Sequence, residues 1–169
     1  DCPGHSDPLI ACVADKRSWT AQAVAGTQVA PRFVQVASFY FEDPALPPGQ
    51  AVQRARDYAA RGIDALKVYN RLRADTYQQL AVEAGRLQRP LVGHLPKAVS
   101  LPDALQAGQR SFEHAHLFAR HCFDSARQWR EGTLDGDNPT QLVERLLSGH
   151  QPATCTEVFT LMQASGAAF

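Results

Sequence analysis

The chain has no surplus of either charge. In 169 residues, 17 Lys and Arg stand against 17 Asp and Glu, a formal net charge of zero. A nucleic-acid-binding surface needs an excess of Lys and Arg to meet the phosphates, so the composition argues against that class of partner. No run approaches the length of about 20 apolar residues that a membrane span requires. The opening residues show no basic segment followed by an apolar stretch of the secretory kind, and both cytoplasmic and periplasmic placement are compatible with the sequence. No C-x-x-C pair occurs, because Cys2, Cys12, Cys122 and Cys155 are widely separated. That spacing disfavours a thiolate zinc knuckle. A chain of this size builds a core without covalent staples, so free thiols are the expectation. No G-x-G-x-x-G follows a strand-like run, which removes support for a dinucleotide fold.

What is present is an ordinary globular composition, 44% hydrophobic and 20% charged. Strand and helix signals alternate through the middle of the chain. Lys16–Ala25 reads as a short helix, and Arg32–Val36 as a strand opened by Pro31. Phe39–Gly49, with Pro44, Pro47 and Pro48, reads as a long loop suited to carrying binding groups. Gln50–Arg61 places Val52, Ala55, Tyr58 and Ala59 near one helical face, with Gly62 as the stop. Ile63–Tyr69 is the next strand. Asp75 is a candidate cap for a helix whose stripe is Tyr77, Leu80, Ala81, Ala84 and Leu87. Pro90–His94 is a short strand, and Ser100–Ala107 a helix capped by Ser100 and ended by Gly108. Ser111–His114 is a further strand candidate.

Gly132–Pro139 is a turn-rich break. Helices follow over Thr140–Leu147 and Thr156–Ala164, the second closed by Gly166, and Ala167–Phe169 reads as a strand beginning. Strands followed by helices in this rhythm imply a parallel sheet covered by helices, either a barrel or a doubly wound sheet.

Three strand ends carry chemistry-bearing residues: Lys67, His94 and His114. In a parallel α/β protein the carboxyl ends of consecutive strands converge on one mouth, and two imidazoles meeting there suit zinc or a similar divalent ion. An ammonium would repel that ion. Lys67 is therefore a salt-bridge partner, a Schiff-base amine or a chemically modified ligand. Each residue alone has an ordinary structural role as well. A strand-end His is commonly a hydrogen-bonded core residue, and Glu113 is a ready partner for Lys67. Their shared placement on three successive strands is what favours a site. His116 is read as a loop or supporting residue, His5 as unpaired, and His121 and His150 as solvent-facing.

The runs Ile63-Asp64-Ala65-Leu66-Lys67-Val68-Tyr69, Leu91-Val92-Gly93-His94-Leu95-Pro96 and Ala107 to His114 (Ala-Gly-Gln-Arg-Ser-Phe-Glu-His) resemble the amidohydrolase superfamily. Within it they are most similar to the imidazolonepropionase- and prolidase-like branch. Ala25-Gly26 through Pro31-Arg32 looks like an upstream segment of the family. Leu161–Phe169 looks like the helix and opening of its seventh strand. The resemblance implies a (β/α)8 barrel of the TIM type, of which residues 1–169 form a partial domain covering about strands two to seven. It also implies a centre of one or two divalent ions, zinc first among them, that activates water to hydrolyse amide, peptide or cyclic amide bonds.

Residue by residue, the resemblance makes Lys67 the bridging lysine, carboxylated into an anionic ligand, and His94 and His114 the ligands of the next two strands. Tyr69 is placed beside a small-molecule or dipeptide-like substrate. A bound metal lowers the pKa of water to about 7 and polarises the scissile carbonyl. The His-x-His pair of the family's first strand and the general-base Asp of its last have no counterpart in the expected places. An intact barrel of this type takes about 250 residues. Open sheet edges on such a piece lead to the expectation of a homo-oligomer. A second reading, a catalytically incomplete barrel fragment serving as an interaction or assembly module, accounts for the missing residues without further sequence. A third is a Schiff-base lysine of the barrel-aldolase kind, which needs a desolvated amine rather than flanking histidines.

Overall fold

Parallel backbone pairing among the described residues of this protein runs in chain order. The computed structural model describes residues 8–114, 121–123 and 139–168. Its elements are α1 (Pro8–Val24), α2 (Pro48–Ala60), β1 (Leu66–Val68), α3 (Ala74–Leu87), β2 (Leu91–Gly93), α4 (Leu101–Gln106), α5 (Pro139–Ser148) and α6 (Pro152–Ser165). Strands β1 and β2 are parallel, with Leu66 opposite Leu91, Lys67 opposite Val92 and Val68 opposite Gly93. Parallel strands need a crossover, and α3 supplies it.

Short bridges extend the same order on both sides. Ala37 pairs with Ala65, Phe41 with Val68, and Ser111 with Ala168, all parallel. The Glu113 amide donates to the Gly93 carbonyl at 2.8 Å, joining the segment after α4 to β2. Five described segments are thus hydrogen-bonded side by side in the order in which the chain visits them.

The strands alternate as a pleat requires. Leu66 and Val68 are fully buried with Leu72, Tyr77, Leu80 and Leu91, under α2 and α3. Lys67, between them, belongs to the opposite face. In α3 the apolar stripe Tyr77, Leu80, Ala81 and Ala84 is buried as the spacing predicts, and Leu87 is partly so. Fully burying side chains of this size stabilises by roughly 1.5–3 kcal/mol each. Arg56 of α2 forms a two-pronged ion pair with Glu83 of α3, at 2.8 and 3.2 Å. Ser100 caps α4 by accepting from the Asp103 amide at 3.2 Å. Leu101, Ala104 and Leu105 of α4 share the core with Val158 and Met162 of α6. Gly166 ends α6 in the left-handed region at φ 69°.

Several expectations are corrected. Arg32–Val36 is not a strand. The Phe33 amide donates to the Thr20 hydroxyl, and the Val36 amide to the Asp64 carboxylate, so side chains take the bonds a ladder would have used. Helix α1 extends well before Lys16, to Pro8. The proline-rich loop is shorter than the sequence suggests, because Pro48 opens α2 at its first position, where its missing N–H costs nothing. The buried face of α2 uses Ala51 as well as Ala55, with Val52 less covered. Asp75 lies inside the first turn of α3 and does not cap it. The Ser111–His114 run forms a single bridge rather than a strand.

The free-thiol expectation is also overturned, since Cys122 and Cys155 are joined, 33 residues apart, and Cys12 is disulfide-bonded too. His121 is buried, not solvent-facing. His5, His116 and the break before Pro139 lie outside the described residues. Among the described residues no helix is long and apolar enough to cross a membrane.

Candidate metal centre

Each of the three strand-end residues is carried to the same end of the paired segments. Lys67 sits in β1, its amide donating to the Ser38 hydroxyl at 3.0 Å. His94 follows β2 directly, and its amide donates to the Val68 carbonyl at 3.0 Å. Glu113 and His114 follow the segment whose amide bond to Gly93 sets it beside β2.

Close approach of β1 and β2 depends on Gly93. Its φ is +107°, and a β-carbon there would lie 2.6 Å from the Val68 carbonyl oxygen and 3.0 Å from Lys67 Cγ. Only glycine takes that conformation without strain, so the Gly-His pair is a structural requirement for placing His94 beside Lys67. His114 also has a positive φ, 66°. That conformation is uncommon for a residue with a side chain, and held backbone strain of this kind gathers at functional sites.

The polar geometry centres on Glu113. One carboxylate oxygen lies 3.0 Å from Lys67 Nζ and the other 3.6 Å from His94 Nε2. The rings of His94 and His114 meet edge-on with centroids 4.7 Å apart. Tyr69 stacks on the His94 ring with centroids 3.8 Å apart, and the Tyr40 ring lies 5.0 Å from that of Tyr69. His94 is buried, Lys67 and Glu113 are half-buried, and His114 is open to solvent. A polar floor lies beneath. Gln109, fully buried, donates to the carbonyls of His94 and Ser111 at 3.3 Å each, and its own carbonyl accepts from the Tyr77 hydroxyl at 2.9 Å.

One potential ligand atom from each of His94, Glu113 and His114 falls within 4.8 Å of the others. Donors to one ion at about 2.1 Å can be no more than about 4.2 Å apart, so modest side-chain rotations bring these three into one shell. Two imidazoles and a carboxylate are a donor set that zinc and its neighbours accept. The residues present therefore fit a divalent metal. Glu113 was legible in the sequence only as a partner for Lys67, and here it bridges Lys67 and His94. Gln109 and Tyr77 carried no sequence signal as site residues, since a glutamine two residues before a strand reads as surface and a tyrosine in a helical stripe as core.

No protein-family model matches the chain, and no curated protein matches it. A solved structure described as "AH, Bottromycin amidohydrolase" is similar to the chain at 18% sequence identity and a TM-score of 0.47, covering 89% of this chain and 46% of its own length. The chain therefore spans less than half the length of that structure.

Proposed function

We propose that the chain is the central part of a (β/α)8 barrel and that the protein is a metal-dependent amidohydrolase acting on amide, peptide or cyclic amide C–N bonds. The observation that carries this reading is the meeting of His94, Glu113 and His114, beside Lys67, at one end of segments paired in parallel and in chain order. Active sites of such barrels are assembled from strand ends. The Lys-Val-Tyr, Gly-His-x-Pro and Glu-His runs supply the residues there.

A bound divalent ion, zinc in the first instance, supplies an acidified water and a polarised carbonyl. The chain's own residues do the positioning. His94 and His114 offer ring nitrogens, and the Tyr69 ring fixes the plane of His94. Lys67, once its neutral amine adds carbon dioxide and releases a proton, becomes a carbamate and an anionic ligand. Its ion pair with Glu113 then opens, which frees that carboxylate to serve as the third protein donor beside His94 and His114. Tyr69 and Tyr40 form an aromatic wall along which a substrate side chain can lie.

The test is the metal content of the purified protein, measured by elemental analysis. About one equivalent or more of divalent metal, lost in His94→Ala, is the expected result. Metal absent from the wild type, or unchanged in His94→Ala, overturns the reading.

A further inference from the structure

A second set of ligating side chains lies apart from the strand-end centre. Cys122 and Cys155 form a disulfide, and His150 places a ring nitrogen within 4.8 Å of both sulfur atoms. The backbone holds the three together. The Gln151 amide donates to the Cys122 carbonyl at 2.6 Å, and Phe123 pairs with His150 in an antiparallel bridge. Cys122 is buried, Cys155 half-buried and His150 exposed. Cys155 lies in the first turn of α6, its amide bonded to the Gln151 carbonyl that opens the helix. A helix N-terminus stabilises a thiolate over a thiol.

From this juxtaposition we propose that Cys122, Cys155 and His150 form a redox-gated site for a thiophilic metal ion, closed as the disulfide and opened by reduction. The chemistry balances. A dithiol reductant gives two electrons and two protons to the sulfur–sulfur bond and becomes a disulfide itself. A divalent ion then displaces the two thiol protons and takes both thiolates with the neutral imidazole of His150. Two thiolates and one imidazole are soft donors that select zinc or monovalent copper over magnesium or calcium. The Cα atoms are only 4.6 Å apart, so once the bond is cut the two sulfurs can reach the roughly 3.8 Å spacing of two thiolates on one tetrahedral ion by side-chain rotation. The exposed side of His150 leaves a fourth position to water. A disulfide oxidant reverses the process by thiol–disulfide exchange: it takes up the two electrons and is cleaved to two thiols, the Cys122–Cys155 bond re-forms and the ion leaves.

The probe is cobalt(II), which reports thiolate ligation as a near-ultraviolet charge-transfer band and tetrahedral geometry as visible bands. The protein carrying His94→Ala and His114→Ala, which remove donors of the strand-end centre, and Cys2→Ser and Cys12→Ser, which remove the other thiols that reduction would release, is titrated with cobalt before and after treatment with a phosphine reductant. Expected is no thiolate band in the oxidised protein and about one equivalent of thiolate-bound cobalt in the reduced one. Cys155→Ser abolishes the band. His150→Ala weakens binding at least as much as the about 10–100-fold that loss of a supporting partner costs at a metal site. Circular dichroism on the same samples reports the fold. A band that ignores His150→Ala, as thiols of an unfolded chain would give, overturns the proposal. So does a reduced protein with no band, folded or not, which would leave the disulfide as a staple only.

Discussion

Gly93 lies so close to Val68 that a β-carbon on it would stand 2.6 Å from the Val68 carbonyl oxygen. This contact sets the spacing of β1 and β2, and through it the distance between Lys67 and His94. Gly93→Ala is expected to destabilise the protein by more than the about 1–3 kcal/mol of a strained φ alone, since the clash with backbone adds to it. Thermal unfolding checks it: an unchanged midpoint would mean that the strands do not approach as described.

Glu113 joins Lys67 to His94, and its effect on stability and on metal should separate. The Lys67 and Glu113 side chains are 28% and 39% exposed, so Glu113→Gln should cost under about 1 kcal/mol of stability. Metal affinity should fall by about 10-fold or more. Denaturant titration and metal titration on the same variant decide between a site residue and a surface ion pair.

Tyr77 makes the protein sensitive to alkali. Burial pushes its phenol above the ordinary value of 10.0, so the folded state holds the proton more tightly than the unfolded chain does. That stability is complete below pH about 10 and falls above it, by at most about 1.4 kcal/mol per pH unit. Tyr77→Phe should flatten the alkaline limb while costing roughly 1–3 kcal/mol at neutral pH, because the Gln109 carbonyl loses its donor. Denaturant midpoints taken across the alkaline range show both effects.

The Cys122–Cys155 bond closes a loop over a sequence separation of 33 residues. Cys155→Ser should destabilise by about 3–4 kcal/mol through restored freedom of the unfolded chain. Equilibrium unfolding of the variant, compared with that of the oxidised wild type, measures the loss, and an unchanged midpoint would mean that the bond does not hold the folded chain.

Local chemistry was the part of the fold most legible in the sequence. Ser100 caps α4 and Gly166 closes α6 because those effects act within one turn. The stripe from Tyr77 to Ala84 is buried because helical spacing leaves one face for the core. That Lys67, His94 and His114 lie toward one end of the paired segments was legible because the carboxyl ends of parallel strands lie on the same side of a sheet. Arg32–Val36 was misread because its amides are taken by Thr20 and Asp64, and Asp64 lies 28 residues from Val36. The joining of Cys122 to Cys155 depends on where α6 docks, which no local pattern records. Glu113 and Gln109 gain their roles from neighbours on other segments, so their residue types alone said little.

Gln109 fastens three parts of the chain at once: the end of β2, the segment at Ser111 and, through Tyr77, helix α3. Rupture of any one of these bonds strands a buried amide, so the three parts should open to solvent together rather than fray one by one. Amide hydrogen exchange would register this as matched protection at His94 and Glu113, whose N–H groups bond to Val68 and Gly93. The loops that carry His94 and Glu113 would then share the opening free energy of the core beneath them.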